Sequence, residues 1–113
     1  MSLFTDIEYF TATIQSGQTV SNAVQIGKKT LVGVVTPSGW TTATIAFQAS
    51  PDAANFYPVN NFAFTGVLSG SITASQFIEI DPTQWRGIDT LKLVSGASQG
   101  STVNVTLVVR GVT

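Results

Sequence analysis

The sequence contains no cysteine and no histidine. Without cysteine there is no disulfide framework, no thiolate metal site and no thiol catalysis. Without histidine the commonest general base and the commonest metal ligand are gone together. Charge is scarce too. Five Lys and Arg and six Asp and Glu make up 10% of 113 residues, with a net charge of −1, against roughly 25% charged residues in ordinary soluble domains. No cluster of Lys and Arg marks a nucleic-acid surface, and no basic amphipathic helix marks a membrane surface. No apolar run approaches the roughly 20 residues that span a bilayer. The opening MSLFTDIEYF lacks the basic and apolar regions of a signal peptide, so synthesis in the cytoplasm is the expectation.

Polarity comes instead from neutral groups. Ser, Thr, Asn and Gln account for 39 of the 113 residues. A neutral surface desolvates cheaply, because no ions must be stripped of water. That favours permanent contact with other protein, although Thr-rich segments are also simply good strand formers.

The hydrophobic pattern has a period of two almost throughout, which is the strand signal. In Val103-Asn104-Val105-Thr106-Leu107-Val108-Val109-Arg110 the residues Val103, Val105, Leu107 and Val109 share one face, and Val108 breaks the alternation. Thr42–Ser50 alternates through Ala43, Ile45, Phe47 and Ala49; Thr90–Ser95 through Leu91 and Leu93; Tyr9–Gln15 through Phe10, Ala12 and Ile14. Thr30–Thr36 is apolar on both faces and reads as a central strand. Gln76–Ile80 reads as a short strand, and Val20–Ile26 and Phe56–Phe64 hold less regular ones. Pro58 confines its segment to an edge or a bulge.

Turn signals such as Ser16-Gly17, Pro37-Ser38-Gly39, Ser50-Pro51-Asp52 and Ser95-Gly96 separate these runs. Short strands so divided predict an all-β antiparallel sandwich, jelly-roll-like. The one helical signal is Asp81-Pro82-Thr83-Gln84-Trp85, with Asp81 as N-cap and Pro82 at the first position; it predicts a short helical turn near residues 82–86. Gly66–Ser75 and Ser95–Ser101 read as exposed loops. The expected organisation is an N-terminal arm over residues 1–8 and a single sandwich domain over 9–113. The arm carries Leu3, Phe4 and Ile7, and an apolar terminal segment either tucks under its own domain or docks on a neighbour.

Chemistry finds few candidates. A Ser–Lys pair needs an unsolvated amine, and Lys28-Lys29 reads as a solvated turn. Glu79 and Asp81 fall on one strand face rather than across a cleft, as paired glycosidase carboxylates require. No run of alternating acids offers a calcium loop. Gly96-Ala97-Ser98-Gln99-Gly100 lacks the Lys and the helix of a phosphate-binding loop. The expectation is a non-enzymatic domain with no cofactor and no metal. The aromatics remain as binding candidates: Trp40, Trp85, and Tyr57, Phe62 and Phe64 in an irregular stretch. Trp40 follows Pro37-Ser38-Gly39 in an expected loop tip, where it either covers a strand edge or stacks on a sugar ring; Trp85 reads as a plug at the end of the core.

The central stretch carries a recognisable arrangement. Leu31–Pro37 is followed by Trp40, then Ala43–Asp52 ending in Ser50-Pro51-Asp52, then Phe56-Tyr57-Pro58-Val59, then Asp81–Gly87 and Leu91–Gly96. Over residues 24–110 this resembles a group of small tailed-bacteriophage virion proteins encoded beside capsid genes. It departs from them at Asp52-Ala53-Ala54, where their pattern often has Asp-Gly, and residues 1–20 match nothing in it. The resemblance implies a capsid decoration or cement protein of the virion, a homo-oligomer whose partners are the major capsid protein and copies of itself. Leu3, Phe4, Ile7 and Trp40 are the expected partner contacts. The competing expectation is a carbohydrate-binding module or a tail-associated receptor-binding domain, in which Trp40 would meet a glycan.

Overall fold

The computed structural model describes residues 4–27, 29–52, 54–59, 71–80 and 89–112. Eight strands follow one another along the chain: β1 (Phe4–Ile14), β2 (Val24–Gln25), β3 (Lys29–Val35), β4 (Ile45–Ser50), β5 (Tyr57–Pro58), β6 (Phe77–Glu79), β7 (Thr90–Ser95) and β8 (Val103–Val112). They form two four-stranded sheets, ordered β1-β8-β3-β6 and β2-β7-β4-β5. Every ladder is antiparallel. The chain runs out through β1–β4 and returns through β5–β8. Each returning strand pairs with its outgoing counterpart, alternately in one sheet and in the other.

The alternation of β8 holds the sandwich together. Val103, Val105, Leu107 and Val109 are buried, and they meet Ile45, Phe47, Leu91 and Leu93 from the other sheet in one core cluster. Burying each such side chain stabilises the fold by roughly 1.5–3 kcal/mol. In β3 the register moves between Leu31, opposite Val109, and Gly33, opposite Val108, so Val32 is an extra residue. That bulge resets the alternation. Leu31 and Val34 are therefore both buried despite their odd spacing, which is why this strand reads as apolar on both faces. Pro58 sits opposite Gln48 in the edge strand β5, where a missing N–H costs no ladder bond.

The expected N-terminal arm is corrected. From Phe4 onward the chain is already β1, with Phe4 opposite Val112, Thr5 opposite Gly111, Ile7 opposite Arg110 and Glu8 opposite Val109. The end of β8 would otherwise expose unpaired backbone groups, and residues 4–8 satisfy them. Met1–Leu3 lie outside the described residues, as do the expected helical turn at 82–86 and Trp85.

The two expected loops each hide a buried anchor. Ile72 is buried and bridges to Ala43. Gln99 is 1% exposed. Its Oε1 accepts from Thr41 N–H at 2.7 Å, and its Nε2 donates to Ser95 Oγ at 2.9 Å and to Thr41 C=O at 3.2 Å. Its backbone C=O accepts from Gly17 N–H at 2.7 Å, and its N–H donates to Gln18 C=O at 3.1 Å. Three connections are thereby tied together at one end of the sandwich. Elsewhere Glu8 and Lys29, on β1 and β3, form an ion pair of 3.2 Å across the intervening β8.

Candidate docking surface

Trp40 does not stand at an exposed tip. Its ring is 4% exposed and belongs to the core cluster. The indole Nε1–H donates to Ile72 C=O at 3.0 Å, and Trp40 N–H donates to Pro37 C=O at 3.2 Å. A large amphipathic ring buries its body and needs a partner for its one polar atom, and the 71–75 segment supplies that partner. Trp40 therefore covers the core and offers no face to a partner or a sugar. Of the other expected contacts, Leu3 lies outside the described residues, Phe4 opens β1 opposite Val112, and Ile7 is 45% exposed.

Ile7 belongs to a larger feature, the outer face of the β1-β8-β3-β6 sheet. Register places Tyr9, Val108, Gly33 and Glu79 in one cross-strand row, and Thr11, Thr106, Val35 and Phe77 in the next. Tyr9 is 65% exposed and Phe77 62%. Phe77 reaches diagonally across its own row to cover Gly33. A methyl group at Gly33 would stand 2.6 Å from Cζ of the Phe77 ring, so only glycine admits the ring there. An aromatic side chain laid over a strand glycine replaces the packing that the glycine cannot supply. Val108 faces outward in the row that Tyr9 and Gly33 share, yet it is only 5% exposed. Its neighbours cover it although it faces away from the core.

This face is nearly uncharged. Among the described residues whose register directs them outward here, only Arg110 and Glu79 carry charge. Thr, Asn, Val, Ile7, Gly33 and the two aromatics make up the rest. Such a surface loses little on dehydration.

Of the polar side chains weighed for chemistry, Lys28 and Asp81 lie outside the described residues and Glu79 stands exposed on β6. Lys29 pairs with Glu8, and Lys92 Nζ lies 4.4 Å from the centroid of the Phe56 ring, a cation–π distance. Asp52 organises its own turn. Its Oδ1 accepts from Asn55 N–H at 2.8 Å, Ala54 N–H at 2.9 Å and Ser50 Oγ at 2.9 Å, and its Oδ2 accepts from Asn55 Nδ2 at 2.9 Å. These donors, the Asn55 N–H first, hold its carboxyl well below the usual carboxylate range. Among the described residues no group of three or more acidic side chains converges to hold a metal ion.

No protein-family model matches the sequence, and no curated protein matches it as a relative. A solved structure, the Yersinia pseudotuberculosis-derived mitogen, aligns at a TM-score of 0.44 with 13% identity, over 95% of this chain and 86% of that one. At that level the likeness carries no argument about function.

The sequence reading missed this face, although its signals were present. Phe10, Ala12 and Ile14 point inward, which leaves Tyr9 outward; Ile78 and Ile80 do the same for Phe77. Val108, the break in the alternation of β8, marks the outer surface that they flank.

Proposed function

We propose that the protein is a structural virion component that decorates a tailed-phage capsid. It docks permanently through the outer face of the β1-β8-β3-β6 sheet. The observation that carries this reading is that face: Tyr9 and Phe77 stand exposed on a rigid, almost uncharged sheet around a covered Val108. Protein interfaces enrich aromatics at their core and exclude charge there. Exposed rings on a rigid support are the usual anchors of binding energy.

Two further points support the reading. The pairing order, with each outgoing strand meeting its returning counterpart, supports a jelly-roll reading of the sandwich, and jelly rolls are common in capsid proteins. The arrangement over residues 24–110 resembles small phage virion proteins. Jelly rolls also serve lectins, but the carbohydrate reading was built on Trp40, whose ring is buried. No glycan is expected to bind with effect on Trp40.

The experiment is capsid rupture. Purified protein is added to capsids of the major capsid protein encoded in the same genome, and heat-induced release of DNA is followed. Saturation should raise the rupture temperature. Unchanged rupture at saturation would sink the proposal.

A further inference from the structure

Among the described residues the four sheet edges are unequal. Strands β2 and β5 are 2 residues long and β6 is 3, and β5 contains Pro58. Short edges and proline are ordinary devices against edge-to-edge pairing. Strand β1 is the fourth edge and is 11 residues long. It has no proline and no lysine. Its one acid above the bulge, Glu8, is tied to Lys29 at 3.2 Å.

The ladder shows which backbone groups this edge exposes. Thr13 N–H donates to Asn22 Oδ1 at 2.8 Å, and Thr13 C=O accepts from Asn22 N–H at 3.2 Å. Both groups of Thr13 therefore point away from β8. In an antiparallel pair, alternate residues turn their N–H and C=O to opposite sides. Thr11, Tyr9 and Ile7 share the direction of Thr13, opposite Thr106, Val108 and Arg110 in unbroken register. Among the described residues no other strand pairs with β1 beyond them. The open stretch is bounded at both ends. Asn22 covers it at Thr13, and the register shift between Thr5 and Ile7 interrupts it at Asp6.

We infer that this edge pairs with itself: two copies of the chain join β1 to β1, antiparallel, about a two-fold axis at Tyr9. The stretch Ile7–Thr11 is centred on Tyr9, so the pairing sets Tyr9 against Tyr9 and Ile7 against Thr11 of the partner copy. About six backbone hydrogen bonds result, two from each of these facing pairs. No like charges meet, because Glu8 falls opposite Phe10 of the partner copy. Ring lies beside ring, and Ile7 beside the methyl of Thr11, on the outer face of one continuous sheet. A symmetric contact of this kind closes at two copies. The same self-complementarity selects a second copy over a foreign strand, since every position in the stretch finds its match within the stretch. The inference is independent of the capsid reading, because it concerns the purified protein alone.

The absence of cysteine makes the register directly testable. In the paired state the Cα atoms of the two Tyr9 residues stand about 5.5 Å apart. The two Thr11 residues, four positions apart along the joined strands and on opposite strands, stand about 14 Å apart. Single variants Tyr9→Cys and Thr11→Cys are treated with a short thiol crosslinker, alongside a mixture of Ile7→Cys and Thr11→Cys. Tyr9→Cys should form covalent dimer at least roughly tenfold faster than Thr11→Cys, as expected for thiols held together rather than colliding. The mixture should crosslink as fast as Tyr9→Cys.

Thr11→Pro supplies the second readout. It removes an N–H that faces away from β8 and leaves the internal ladder whole, so a folded monomer by sedimentation is expected. Should that variant fail to fold, Tyr9→Lys sets two ammonium groups face to face and should give the same monomer, with dimer restored by salt. Equal crosslinking at positions 9 and 11 would overturn the inference. So would wild-type protein that stays monomeric up to about 1 mM, or a folded Thr11→Pro variant that dimerises like wild type. Failure of these tests leaves capsid docking untouched, because no capsid is present in them.

Discussion

The tip of the Phe77 ring covers Gly33: a Cβ at that glycine would lie 2.6 Å from Cζ and 3.1 Å from Cε2. The two residues sit on neighbouring strands, two positions out of register, since Phe77 is opposite Val35 and Gly33 opposite Glu79. The glycine thus decides where an exposed aromatic rests, and that position fixes one of the two rings that flank Val108 on the candidate docking surface.

Gly33→Ala should therefore separate docking from folding. Phe77 is mostly exposed, so its ring can swing away, and alanine suits a strand better than glycine by roughly 0.5–1 kcal/mol. Thermal unfolding should change by less than about 1 kcal/mol. Capsid binding should weaken, because the displaced ring no longer lies over the sheet.

Gln99→Ala should be costly. It removes three side-chain hydrogen bonds and leaves Thr41 N–H without its acceptor. That bond is only partly buried, so the unpaired Thr41 N–H adds at most about 1–3 kcal/mol to the cost of the lost bonds and of the space the side chain leaves. A loss of roughly 2–4 kcal/mol is expected, read as a lowered midpoint in urea with the slope unchanged.

Trp40→Ala should destabilise by about 3–5 kcal/mol, the range for removing a buried large aromatic. Trp40→Phe should cost less than that, because most of the ring's packing remains and the Ile72 carbonyl, on losing the indole N–H, keeps Ala43 N–H as a donor. Calorimetry of both variants checks this. A Trp40→Ala protein as stable as wild type would mean that the ring does not cover the core.

Acid should act through Asp52. Its folded-state carboxyl titrates well below the ordinary value of 3.8, held there by the backbone N–H groups of Asn55 and Ala54 and by the side chains of Asn55 and Ser50. A depressed folded value means that the charged form stabilises the fold above the ordinary value. That contribution is lost as pH falls below it. Asp52→Asn should be less stable than wild type at about pH 7, and the gap should narrow by about pH 2. Urea midpoints across that range test the sign.

Much of the fold was legible in the sequence because one-sided burial imposes alternation. The inward sets of β4, β7 and β8 and the edge position of Pro58 follow directly from it. What escaped depends on contacts between distant segments. Trp40 follows a turn sequence, but Ile72, far along the chain, supplies the carbonyl that draws its ring inside. Gln99 lies in a Gly/Ser-rich stretch, and only the approach of Thr41 and Gln18 makes its burial favourable. The first eight residues read as an arm because nothing local shows that β8 continues to Val112 and needs a partner. The docking face was written as exceptions to alternation, Val108 above all. Those exceptions acquire meaning only when register sets Tyr9, Val108 and Gly33 side by side.

The most direct measurement is co-sedimentation of Phe77→Ser with capsids, beside wild type. Phe77 lies on β6, away from the β1 edge, so self-pairing does not enter the comparison. The account predicts that wild type saturates the capsid and that the variant, with an unchanged melting curve, binds roughly 10- to 100-fold more weakly, as for loss of an aromatic anchor. A folded Phe77→Ser protein that binds capsids as tightly as wild type would contradict it.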